Sequence, residues 1–164
     1  MPKQICVILT LFILCVSLCG CTERDSTVSV HEDTQTSENA QPKQEGPTLK
    51  ITIGGYVLDA TFENNRSAEE LKELLRQGPV TVTMEDYGGF EKVGPLGATL
   101  TRCDEQITTQ PGDVILYQGN QITIYYGTNS WNFTKLARIN DPTGLKEKLG
   151  TGTVQVTFSL EPGI

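Results

Sequence analysis

From position 48 onward the chain alternates apolar and polar side chains in short runs. Leu49, Ile51 and Ile53 are interleaved with Lys50 and Thr52, Gly54-Gly55 offers a tight turn, and Tyr56 to Phe62 alternates again. A period of two on both sides of a glycine pair predicts a β-hairpin. The period then changes. Leu71, Leu74 and Leu75 fall at helical spacing behind Ser67-Ala68-Glu69-Glu70, which reads as a capping box, and Gly78-Pro79 ends the pattern. Val80 to Met84 resumes the strand alternation.

Residues 85 to 110 carry several glycines and no clear period, the signature of a functional loop or of irregular strands. Pro111-Gly112-Asp113 turns the chain into Val114 to Tyr117, which Gly119-Asn120 joins to Ile122 to Tyr126 as a second hairpin. A polar and aromatic loop is expected over residues 127 to 134, then a strand from Lys135 to Ile139. Asp141-Pro142 places an N-cap residue before a helix-compatible proline, predicting a short helix to Leu149 that Gly150 terminates. Val154 to Leu160 closes the chain as a strand. Many short strands with two short helices predict a mostly β fold, a closed barrel with the helices capping its ends, because two helices cannot cover a parallel sheet.

The first 47 residues follow other rules. Lys3 precedes a nearly unbroken apolar run over residues 5 to 18, the length of a signal-peptide core and short for a membrane-spanning helix. The run ends in Leu18-Cys19-Gly20-Cys21, which resembles a bacterial lipobox. That resemblance implies a signal peptide over residues 1–20, a lipid-modified Cys21 and a domain held on the outer side of the cell membrane. Residues 21–47 contain almost no large apolar side chains after the cysteine and form an expected acidic tether, leaving 48–164 as one domain. Of the five cysteines only Cys103 would remain free in that domain, so no internal disulfide is expected and a half-buried structural place is assigned to it.

A formal net charge of −7 and the absence of any Lys/Arg cluster argue against a nucleic-acid partner. His31, the single histidine, falls in the tether, so the domain has no imidazole for nucleophilic catalysis or metal ligation. With no phosphate loop and no zinc spacing, no cofactor and no metal are expected. A monomer is expected.

The segments Met84 to Gly94, Pro111 to Tyr117, Ile122 to Gly127 and Leu136 to Ile139 together resemble the bacterial cyclophilin-like domains across essentially the whole of residues 48 to 160. The resemblance implies a cyclophilin-type barrel. Authentic cyclophilins isomerise prolyl bonds with an arginine that donates to the prolyl nitrogen, and their Phe-His-Arg and Gln-Gly-Gly-Asp segments are not found here; no catalytic residue is carried over. The expected function is therefore a non-catalytic module for a peptide or small molecule, the alternative being a prolyl isomerase acting on exported proteins.

Two segments are candidates for the rim of a binding site. In the first, Tyr87 offers a ring face, Gly88 and Gly89 allow close backbone approach, and Glu91 and Lys92 offer opposite charges. The other reading is a bulged strand with the rings of Tyr87 and Phe90 in the core. The second runs from Tyr125-Tyr126 through Asn129, Ser130, Trp131 and Asn132 to Phe133, where a tryptophan among Asn and Ser has the composition of an adaptable surface, or else Trp131 or Phe133 plugs the barrel. Arg138, between Ala137 and Ile139, points into a pocket as a clamp or outward into solvent. The neighbouring carboxylates Glu85-Asp86 and Asp104-Glu105 are expected to be solvated.

Overall fold

A computed structural model describes residues 46–161. The signal peptide, Cys21 and the tether as far as Glu45 lie outside the described residues. In chain order the elements are β1 (Thr48–Ile53), β2 (Tyr56–Phe62), α1 (Arg66–Arg76), β3 (Val80–Tyr87), β4 (Glu91–Pro95), β5 (Glu105–Thr108), β6 (Asp113–Tyr117), β7 (Gln121–Tyr125), β8 (Ser130–Ile139), α2 (Leu145–Leu149) and β9 (Val154–Glu161).

The strands pair antiparallel in the order β2-β1-β9-β3-β4-β7-β6-β8, and β8 returns to β2 through Ala60↔Ile139 and Phe62↔Ala137. The result is a closed barrel of eight strands, as the alternation predicted a closed barrel without fixing the number. β5 adds to the outer half of β8, from Glu105↔Phe133 to Thr108↔Ser130. Among the described strands, closure leaves β5 as the free edge.

Inward-facing Leu49, Ile51, Val82, Met84, Ile122, Ile124, Val156 and Phe158 fill the interior. α1 and α2 follow the far ends of the antiparallel neighbours β2 and β8, so each helix covers a different end of the barrel. α1 inserts Leu71 and Leu75, and α2 inserts Leu145 and Leu149. Each fully buried leucine contributes about 1.5–3 kcal/mol.

Three local expectations are corrected, and the open alternative over residues 85–110 is decided for irregular strands. Asn65, and not Ser67, caps α1: its Oδ1 accepts the Ala68 N–H at 2.9 Å, whereas Ser67 is buried and donates to the Thr101 carbonyl. Glu70 is drawn away from a capping box by Thr101, whose N–H and hydroxyl both donate to it. The unpatterned stretch 85–110 contains the end of β3, all of β4 and β5; the chain turns at Gly88 and Gly89, both at positive φ, where a Cβ on Gly88 would meet the Phe90 ring at 2.2 Å. β8 begins at Ser130 instead of Lys135, because its first residues pair with β5 outside the barrel and need no inward apolar face. Finally, α2 starts at Leu145 after Gly144, and Asp141 caps only a local turn by accepting the Thr143 N–H.

Candidate functional site

The pairing register decides which side chains share a face. Glu91 lies opposite both Tyr87 and Tyr125, Gln121 lies opposite both Pro95 and Tyr117, and Val93 lies opposite Thr123. Cross-strand partners project to the same side of a sheet. Lys92, opposite Ile124, projects inward, so Glu91 and everything in register with it face out.

That outer face is not flat. Phe133 of β8 is held over it by pairing with β5 and joins Ile115 and Tyr125 in a small second core, against which Phe90 and Ile107 pack. Phe90 stacks on Tyr125 at 6.0 Å between centroids, and Tyr125 tilts against Phe133 at 5.7 Å. Between the outer face of β4, β7 and β6 and the overhanging start of β8 runs a groove of about 360 Å³. Glu91, Gln121 and Asn129 bring polar groups to it, and Tyr87, Tyr117 and Trp131 bring rings.

Glu91 is the unusual member. It is 7 % exposed, and its Oε2 has no hydrogen-bond partner. Burial raises its carboxyl above the ordinary value, against a smaller opposing effect of the Tyr125 hydroxyl that hydrogen-bonds it. Tyr125 is itself pushed upward, first by burial and then by the Glu91 carboxylate. Among the buried side chains described, the other unpartnered atom is Thr123 Oγ1, two residues from Tyr125 on the same face of β7. Among the described residues no lysine or arginine lines the groove.

The eight candidate rim residues do not converge. Tyr87, Glu91 and Trp131 line the groove. Gly89 and Tyr126 instead border a shallow depression of about 690 Å³ beside α2, with Asp86, Lys146 and Glu147. Gly88 serves the β3–β4 turn and lines neither of these two cavities.

Lys92 is not at a rim. Its side chain is fully buried in the barrel, where Nζ meets Asp86 Oδ1 at 2.8 Å and donates to the Gly152 carbonyl. Asp86 also accepts from Tyr126 at 3.1 Å and from the Gly152 N–H at 2.7 Å, so this network ties the β3–β4 hairpin to the loop after α2. These bonds, that of Lys92 first, hold the Asp86 carboxyl below its ordinary value.

Arg138 turns outward to Asp113 at 2.7 Å, away from the groove. Asp104 is not merely solvated: it pairs with Arg102 and accepts from the Thr134 hydroxyl. Cys103 is half-buried and unbonded to another cysteine. Among the described residues no group of three His, Cys, Asp or Glu is placed to hold a metal ion.

Sequence reasoning missed Val93, Tyr117 and Gln121 as groove residues. Tyr117 and Gln121 are legible in retrospect, since the Gly119-Asn120 turn fixes a register in which they face each other. Val93 lay in the stretch without period.

Residues 51–159 match the model of the cyclophilin-like family. No curated protein matches the chain at a significant level. Among solved structures, the solution structure of a hypothetical protein from Archaeoglobus fulgidus is similar, with 15% identity and a TM-score of 0.53, over 70% of this chain and 95% of that one. At that identity the likeness speaks for the fold alone.

Proposed function

This chain belongs to the cyclophilin-like family, and from that premise we propose that it is a membrane-tethered extracytoplasmic lipoprotein whose barrel binds a peptide segment or small molecule without chemical turnover. The observation that carries the binding reading is the outer groove: exposed rings of Tyr87 and Trp131 stand around a buried carboxyl with an unused acceptor. Concave sites with apolar walls and a few convergent polar groups are the usual form of ligand sites. The tether rests on the leader and on Leu18-Cys19-Gly20-Cys21. Against turnover stands the lining of the groove, which offers no arginine to donate to a prolyl nitrogen.

The test uses the full chain in a maltoside detergent with a panel of Xaa-Pro peptides. Trp131 is the only tryptophan, so its emission reports groove occupancy alone, while exchange spectra of the peptides report isomerisation. Saturable emission changes with peptide exchange left at its uncatalysed rate, tens of seconds or slower, are expected. Exchange accelerated into the sub-second range overturns the non-catalytic reading. For the tether, the wild type is expected to incorporate a labelled fatty acid and Cys21→Ala none; equal labelling of the two overturns it.

A further inference from the structure

We infer that the groove takes an alkylammonium or guanidinium group, the side chain of a lysine or arginine in a peptide or the head of a free aliphatic amine. This rests on the reading of the groove as a binding site and names what that site selects. Three features agree. Glu91 lines the groove, is nine-tenths buried, and has at its Oε2 an acceptor without a donor. The ligand must therefore bring an N–H or O–H, and one that carries positive charge makes the stronger bond to a carboxylate.

The walls make the same choice. Tyr87 is 63 % exposed and Trp131 60 % exposed, and ring faces attract a cation as well as apolar carbon. The alkyl stem of a lysine or arginine can lie along Val93 and Phe133 while its head reaches Glu91. Among the described residues no cationic side chain competes for the carboxylate, since Lys92, its neighbour in sequence, is committed to Asp86 and Gly152 on the inner face. An anion or a purely apolar ligand would leave Oε2 unpartnered.

The titratable groups facing Glu91 are Tyr87 from β3, Tyr125 from β7 and Tyr117 from β6; β8 contributes only Trp131 and Phe133. Burial and the Glu91 carboxylate push the Tyr125 hydroxyl upward, and Tyr126, bonded to Asp86, also feels the Glu91 charge. Occupancy is thus controlled by the one carboxyl, which must be ionised.

The experiment titrates the full chain in maltoside detergent with N-acetyl-lysine amide and, as its neutral isostere, N-acetyl-norleucine amide, following Trp131 emission. At pH 7.5 the lysine compound is expected to bind about tenfold tighter or more, as a charge-assisted hydrogen bond implies. That preference is expected to fall as pH drops below the carboxyl's raised value, and to vanish in Glu91→Gln. The wild-type pH series needs no variant, so a folding defect cannot mask the answer. Equal affinity for norleucine, or a lysine preference that survives Glu91→Gln, overturns the inference. In that case saturable norleucine or Xaa-Pro binding leaves the binding module standing, whereas no emission change with any ligand removes both. n-Butylammonium separates the sources: affinity equal to that of the lysine compound assigns a free amine, and at least tenfold weaker affinity assigns a peptide side chain.

Discussion

Replacing Glu91 with glutamine should make the protein more stable. An unpartnered polar group in the interior costs about 1–3 kcal/mol, and more when it carries charge. Glutamine keeps the size and shape of the side chain and replaces a charged carboxylate with an unpartnered oxygen by a neutral amide. Only the charge-dependent part of the cost disappears, which we set at about 1 kcal/mol. For a domain of this size that is a rise of about 4 °C in Tm.

The pH dependence follows from the direction of the shift. Burial raises the folded-state pKa of Glu91, so the fold holds the proton to higher pH than the unfolded chain does. Below the unfolded value both states are protonated and the stability of that neutral form is fully present. As pH rises through the folded value the carboxyl must ionise in the interior, and stability is lost. Glutamine escapes that loss, so its advantage is expected at pH 7 and absent at pH 4. Thermal melts of both proteins at the two values measure it. A variant no more stable than wild type at pH 7, or an advantage of equal size at both, refutes the reasoning. A carboxylate kept at a cost to stability fits a group held ready for a ligand.

Asn65→Ala removes both the cap on the Ala68 N–H and the bond from Nδ2 to the Lys135 carbonyl at 2.8 Å; it is expected to cost about 1–2 kcal/mol, seen as a lower urea midpoint with unchanged slope. Glu70 is held down to about 2, foremost by the Thr101 N–H, then by the Thr101 hydroxyl and Arg66. Its contribution is present above the ordinary carboxyl value and lost as pH falls toward 2, so between pH 4.5 and 2 the wild type should lose melting temperature faster than Glu70→Gln; parallel curves would show that Thr101 and Arg66 do not stabilise the carboxylate.

The barrel was legible because its information is local. Strand alternation in β1, β2, β7 and β9 specifies an inward apolar face, and short strands with two helical stripes leave few ways to close a core. α1 was legible from its leucines, yet its first residue was not. Asn65 and Ser67 are both good caps by composition, and only the position of the Thr101 carbonyl, supplied from elsewhere in the chain, draws Ser67 inward. The start of β8 stayed hidden for a similar reason, since its outer half pairs with β5 and carries no inward stripe.

The site divides along the same line. Tyr87, Glu91 and Trp131 could be picked out as chemistry near turns, but Glu91 and Lys92 looked equivalent in sequence. Alternation along β4 sends one out and one in; it says that they differ and not which is which. Pairing with β7 decides it, placing Lys92 opposite Ile124 in the core, where Asp86 and the Gly152 carbonyl compensate its charge, and Glu91 opposite Tyr125 in the groove, where nothing satisfies Oε2. Composition and periodicity set the kind of fold this chain makes. Which of two adjacent charges is neutralised inside and which is left for a ligand depends on contacts between strands distant in sequence, and so on the closed barrel itself.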